Sequence, residues 1–555
     1  MILIHPCFED YTERLFEYGI AQKGDGFKIM HTYKAPENKK FNEIAKIGGK
    51  LHNFLMEYAS CFYIDRLQGG IFYSHYDYDK DLVDYYQNLS NLDFLGMQVH
   101  ESGNTRFLDW NRILRCLKEE GLSWNEENIH EAVKKHSANK DYPHFSQGPA
   151  SEYAALTPPK TISEYMADQE FLLSRCQKQV WGNVVKCDAA SMHCSTEAKH
   201  NIRTAFIEIG GQTPGTRIQF ALRRGVSRSI GAKWGTYIEP WGGKETTAYR
   251  FTRDGANDWY DRRYNDPQEK WPELYNAVGE NGGSSMSLAG RLMFTSLFSG
   301  ADYFGEEHGA GNTFYDWKEG GLTPYGVYKK QMADLSRKLT NVKAEIPIAI
   351  ILPKEYQMVQ ANCRNLPFTN DVVEGEYPDI VERITRLFWN GSKLGLEDRI
   401  YTTGRYGSLF DIIYENSYEH PDEEYQFIVD FSGKFADKLP NAVNAYQEDE
   451  MYAKLDAFVA EYLPFTYDAS SDIDYMLFES NGNKYCCILN HNGVSKTLER
   501  GEWVAPEATV SFSLKLKEGK ILEVLDLYNC GYDISDPTML KTNLPGGDLI
   551  LFRYG

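Results

Sequence analysis

The chain has 555 residues and a mass of 63.7 kDa, more than one ordinary domain of ~100–200 residues holds, so it reads as several units or one large barrel with attachments. Hydrophobic residues at 42% and charged residues at 25% are those of a folded globular chain, while 59 Lys and Arg against 79 Asp and Glu leave a net charge of −20. That balance excludes a nucleic-acid partner, which needs clustered cations, and tells against docking on an anionic membrane. No apolar run approaches the ~18 residues of a membrane-spanning helix. Met1–Pro6 lacks the basic and long apolar segments of a signal peptide, which reads as a cytoplasmic chain. Ten cysteines, set in apolar stretches such as Cys61–Ile64 and Tyr485–Ile488, read as reduced, buried thiols.

Residues 1–342 alternate short apolar runs with amphipathic stretches. The runs Ile2–His5, Phe27–His31, Cys61–Asp65, Phe94–His100, Asn183–Asp188, Ala205–Ile209, Gly235–Glu239 and Ala301–Gly305 are read as strands. Ile162–Cys176, Thr216–Ile230, Ser287–Phe298 and Tyr325–Leu339 have helical spacing; the second carries Ile218, Leu222, Val226 and Ile230 as one stripe. Strand followed by helix, repeated eight times, predicts a (β/α)8 TIM barrel, with an insertion over residues 117–160. Residues 343–466 start on the apolar run Ile346–Leu352 and continue through a helix at Ile380–Phe388 and strands at Phe410–Tyr414 and Tyr425–Val429, a small α/β domain. Residues 467–555 read as an antiparallel β-sandwich, with strands at Tyr475–Glu479, Lys484–Asn490, Thr509–Leu516, Ile521–Leu527 and Asp548–Arg553 separated by Asn/Gly and Pro/Gly turns.

A parallel barrel works at the carboxyl ends of its strands, and those ends are acidic here. The third strand ends in Asp65-Arg66, the fourth in His100-Glu101, the fifth in Asp188, the sixth carries Glu208, the seventh ends in Glu239 and the eighth runs into Glu306-Glu307. Carboxylates that converge repel one another, and such crowding persists where chemistry requires it. Two of them suit cleavage of a glycosidic bond, one giving a proton to the leaving oxygen and one meeting the cationic centre. Glu101 and Glu239 are the expected pair, since the fourth and seventh strands face each other across the mouth; Glu208 replaces one of them if the strand count is off by one, or is held structurally by Arg203 or Arg217. Asp65, Arg66, His100 and Asp188 are expected to hold substrate, with Trp241 as a stacking platform and one of Glu306 and Glu307 lining the site. The 14% aromatic content leans the same way. Cys187, Asp188, His193, Cys194 and His200 lack a close Cys-x-x-Cys element, so no metal is expected. No Gly-x-Gly-x-x-Gly or Walker loop is present, so no cofactor is expected.

Glu after the fourth and seventh strands resembles the large clan of retaining (β/α)8 glycosidases. The order of barrel, small α/β domain and β-sandwich is similar to the family-42 β-galactosidases, in which the small domain is glutamine-amidotransferase-like and mediates trimers. The resemblance implies a glycoside hydrolase that removes a terminal sugar from a small glycoside or oligosaccharide, Glu101 as acid/base, Glu239 as nucleophile and a homo-oligomer. His100 stands where the clan has Asn, and no cysteine cluster marks a zinc site, so the sequence reads as a divergent family. Two other readings remain open on the same scaffold. One is a phosphorylase using Arg66, Arg203 or Arg262 for phosphate, and the other is a non-catalytic carbohydrate-binding barrel.

Overall fold

The computed structural model describes residues 1–7, 9–30, 40–65, 67, 76–136, 145, 148–188, 191–192, 196–210, 216–239, 286–306, 313–314, 320–354, 356, 358–359, 378–388, 404–497 and 501–555. Eight parallel strands close into a barrel in chain order: β1 (Ile2–Pro6), β2 (Gly26–Met30), β3 (Cys61–Asp65), β4 (Asp93–His100), β5 (Val184–Asp188), β6 (Thr204–Gly210), β7 (Lys233–Glu239) and β8 (Tyr303–Glu306). β1 pairs with both β2 and β8, which seals the ring. Each expected strand is found, β3 with the same bounds and β8 starting at Tyr303 instead of Ala301.

Both faces of these strands are apolar, because one fills the barrel and the other meets the helices. Ile4, Cys61, Tyr63, Val185, Cys187, Phe206, Tyr237 and Tyr303 fill the inside. Outside, Ile207, Ile209, Trp234, Ile238 and Phe304 pack with Leu222, Leu292 and Leu297 of the helices Thr216–Ile230 and Met286–Phe298. The β3–β4 ladder slips once: Phe62 faces Phe94, but Tyr63 faces Gly96, so β4 carries an extra residue. Gly96 has φ 125°, and a β-carbon there would lie 2.8 Å from the Asn183 carbonyl oxygen. Only glycine fits that bulge.

After β4 the helix Ser102–Glu120 leads into the insertion, where the helices Glu126–Lys135 and Ala150–Ala155 build a small core around Trp110, Ile129, Val133 and Tyr153. Buried Arg106 pins it down, donating to Asp168 at 2.8 Å and to Glu152 at 2.5 Å. Further on, Phe410–Tyr414, Ile348–Leu352, Phe427–Asp430 and Ala442–Asn444 form a parallel four-stranded sheet in that order, beside the helices Pro378–Phe388 and Glu448–Tyr462. The rest is antiparallel. One sheet orders Lys343–Ala344, Asp474–Ser480, Asn483–Leu489, Leu549–Tyr554 and Ile521–Leu525; the other orders Phe465–Ala469, Val510–Leu516 and Met539–Leu544. The sequence reading lacked Phe465–Ala469, Met539–Leu544 and Ala442–Asn444, which are short or carry polar residues at alternate positions.

Arg217, on the helix after β6, ties these parts together. Its guanidinium pairs with Asp474 at 3.2 Å and donates to the carbonyls of Phe388, at 2.9 Å, and Gly407. His491 meets the other oxygen of Asp474 at 3.2 Å and Arg291 at 3.2 Å. Among the described residues no helix is long and apolar enough to cross a membrane.

Candidate active site

Register decides which strand-end side chains look into the barrel. Gln98 pairs with Val185, His100 with Cys187, and Glu208 with Tyr237, and in each pair the second residue lies in the interior cluster. Lys28 pairs with Tyr63 and Met30 with Asp65, which places Lys28 and Asp65 on the inward face. The carboxyl end of the barrel thus gathers Lys28, Asp65, His100, Glu208 and Tyr237 in one layer, all of them nearly or fully buried.

Tyr237 is the centre of that layer. Lys28 Nζ donates to its hydroxyl at 2.9 Å and to the Glu306 carbonyl at 2.5 Å. The hydroxyl lies 3.4 Å from Asp65 Oδ1, a long contact, and the ring meets His100 edge-on at 5.8 Å. Three inward groups are therefore held by one tyrosine.

Glu101 follows directly. Its N–H donates to the Cys187 carbonyl at 2.7 Å, extending the ladder one residue past β4. Its backbone is left-handed, φ 45° and ψ 33°, at the start of the helix Ser102–Glu120. That conformation costs a residue with a β-carbon about 1–2 kcal/mol, and such strain gathers where a side chain must be aimed. The Glu101 side chain, 25% exposed, lies 3.9 Å from His100 Nε2. One donor atom from each of His100, Glu101 and Glu208 falls within 4.8 Å of the others. Among the described residues this is the set that could hold a cation. It also brings two carboxyl groups together at the carboxyl end of the barrel.

Two acids expected at the rim lie elsewhere. Asp188 pairs with Ile207 and Glu306 with Ile238, both of which belong to the outer core. Asp188 meets Lys186 at 2.7 Å; Lys186 also meets Glu197 at 3.1 Å, and Arg223 grips Glu197 with both terminal nitrogens. Burial pushes the Asp188 carboxyl above its ordinary value despite Lys186. Burial also pushes Glu197 up, but Arg223 and Lys186 outweigh it and hold that carboxyl low. Glu306 meets Lys329 at 2.9 Å; burial lowers the Lys329 ammonium, and Glu306 with Tyr11 more than restores it. Both acids belong to the layer between barrel and helices, so neither lines the mouth.

Arg203 stands before β6, at the barrel's other end, and Arg217 holds Asp474, so neither takes the structural role beside Glu208 that the sequence left open. Cys187 faces the interior and His200 bonds Gln177, which dissolves the Cys/His spacing. The backbone of Glu239 pairs with Gly210 at the end of β7. Its side chain and Arg66, Trp241, Glu307, Arg262, His193 and Cys194 lie outside the described residues. The sequence reading missed Lys28 and Tyr237; a lysine inside an otherwise apolar strand, Gly26–Met30, was the available signal.

A closed parallel barrel followed by a parallel α/β sheet and two antiparallel sheets is a fold found among glycosidases. Over 100% of this chain it resembles the β-galactosidase from Bacillus circulans sp. alkalophilus, with 9% identity, 99% of that chain covered and a TM-score of 0.50. Alpha-L-fucosidase isoenzyme 2 from Paenibacillus thiaminolyticus aligns over 100% of this chain and 99% of its own at 10% identity, TM-score 0.44. Gan42B, a GH42 beta-galactosidase from G. stearothermophilus, aligns over 100% and 98% at 9% identity, TM-score 0.47. No family model and no curated protein sequence matches the chain. The likeness is one of fold.

Proposed function

We propose that the chain is a glycoside hydrolase that removes a terminal sugar from a small glycoside or oligosaccharide, with two carboxylates at the carboxyl end of the barrel. The observation that carries this reading is the approach of Glu101 and Glu208, with His100, to within 4.8 Å. Glu101 gives its proton to the leaving oxygen and then draws one from water. The second carboxylate adds to the anomeric carbon as the leaving oxygen departs, and the activated water then displaces that carboxylate, so that two inversions retain the configuration. Glu208 takes that role on the distance above, and Glu239, at the end of β7, is its rival by position along the barrel. Asp65 and His100 hold substrate hydroxyls; Trp241 and Arg66 are proposed contacts from the sequence.

Phosphorolysis is the second reading; of its phosphate contacts, Arg203 sits at the far end of the barrel from Glu208, and Arg66 and Arg262 lie outside the described residues. Glu101→Gln, Glu208→Gln and Glu239→Gln are compared on a panel of aryl glycosides. Loss of a general acid lowers kcat by about 10²–10⁴-fold, and that is expected for Glu101→Gln. Among Glu101→Gly, Glu208→Gly and Glu239→Gly, the nucleophile is the one whose turnover azide restores with a glycosyl azide of opposite anomeric configuration. Ordinary turnover in all three Gln variants overturns the assignment.

A further inference from the structure

We propose that the opposite, N-terminal mouth of the barrel is a second binding site, for a saccharide, and that Trp181 is its platform. This inference stands apart from the catalytic reading and uses none of its residues. A cavity of about 660 Å3 opens there, among the turns that lead into β4, β5, β6 and β7. The interior cluster of large side chains fills the barrel between the two mouths, so no short ligand reaches both.

Trp181 lines this cavity and is 41% exposed. It follows the helix Ile162–Gln179 with φ 51°, a left-handed backbone that glycine adopts freely and a bulky residue does not. Ending the helix does not call for an indole at that point. Asn201, on the neighbouring turn, is also left-handed at φ 50°. Two of the described non-glycine residues with positive φ therefore flank one cavity, and of the two Trp181 is the bulky one for which that backbone is costly.

The wall chemistry names the ligand class. The Asn183 side-chain amide donates a hydrogen bond to the Val180 carbonyl at 3.0 Å, and Asn201 offers a second amide. Arg203 and Lys233 are the cations, with Asp93 4.0 Å from Lys233. Two positive groups against one negative give too little charge for a nucleotide's phosphates, in a chain already at −20. They do suit hydroxyls, which take donors and acceptors together, while the Trp181 indole, with Lys80 Nζ over its ring at 5.7 Å from the centroid, offers its other face to the apolar side of a sugar ring. A glycan held here stays on the protein while the carboxyl end of the barrel remains open.

The test uses the full chain carrying Glu101→Gln, to stop turnover, titrated with xylohexaose, galactohexaose and trigalacturonate, and with AMP as the competing class. Intrinsic fluorescence and calorimetry are the readouts. Saccharide binding that Trp181→Gly weakens by about tenfold or more, with a melting temperature at or above the parent's, is the expected result. Arg203→Ala should weaken it as well. In the chain with Glu101 restored, Trp181→Gly is expected to leave turnover of small glycosides unchanged, so the two sites fail or stand separately. No Trp181-dependent binding of any saccharide, or binding of AMP alone, overturns the proposal.

Discussion

The acids of β4 and β6 and those of β5 and β8 sit at similar heights on one barrel and meet opposite company. Glu101 and Glu208 are brought to each other and to His100. Asp188 and Glu306 are each laid against a lysine between the strands and the helices. A one-residue difference in register moves a carboxylate from one set to the other, because side chains alternate with period two. The acids facing the axis can serve chemistry; the acids facing the helices neutralise cations that would otherwise be buried alone.

That division predicts opposite costs. Glu197→Ala leaves Lys186 and Arg223 without their shared partner, and is expected to lower stability by about 3–5 kcal/mol. Urea denaturation reads this, and a loss under about 1 kcal/mol would break the comparison. Next comes the junction of the three parts. Burial drives the His491 imidazole down to about 4 from 6.5, against the pull of Asp474. The unfolded chain then binds the extra proton between those values, so stability rises with pH across that window, by about 3 kcal/mol in all, and is fully present above 6.5. His491→Gln should flatten that limb in denaturation midpoints measured across the window.

Smaller effects sharpen the same contrast. Glu101→Gly relieves the left-handed backbone and is expected to raise stability by about 1–2 kcal/mol while abolishing turnover. Calorimetry beside a kinetic assay reads both. A stability loss instead would show that the site acid also holds the fold. Asp188→Asn should change stability by no more than about 1 kcal/mol, since Lys186 keeps Glu197. Because burial raises the Asp188 carboxyl, ionising it costs the folded state, and the variant should gain on its parent as pH climbs above 3.8. A gain toward acid pH instead would contradict that direction.

The sequence carried the barrel well. Apolar runs of strand length, four of the intervening stretches carrying a helical stripe such as Ile218, Leu222, Val226 and Ile230, located all eight strands and the helix Thr216–Ile230 with its bounds. Which way an end residue faces was not legible. Cys61–Asp65 and Asn183–Asp188 both read as an apolar strand closing on Asp, and a strand buried on both sides gives no alternation to orient it. Asp65 shares its face with Tyr63, and Asp188 shares its face with Lys186, whose partners Glu197 and Arg223 come from distant segments. Proximity between Glu101 and Glu208 is likewise a property of closure, not of spacing.

The bulge at Gly96 has a further consequence. It works as a phase marker: with every residue kept but the strand laid out in regular alternation from Phe94, β4 would present Met97 and Val99 to the axis and send Gln98 and His100 toward the helices. The order of letters would be untouched, yet the mouth would have lost its histidine and gained a valine. Whether the extra residue is taken up as a bulge is therefore a chemical matter, and chains sharing this barrel should be compared by phase as well as by residue.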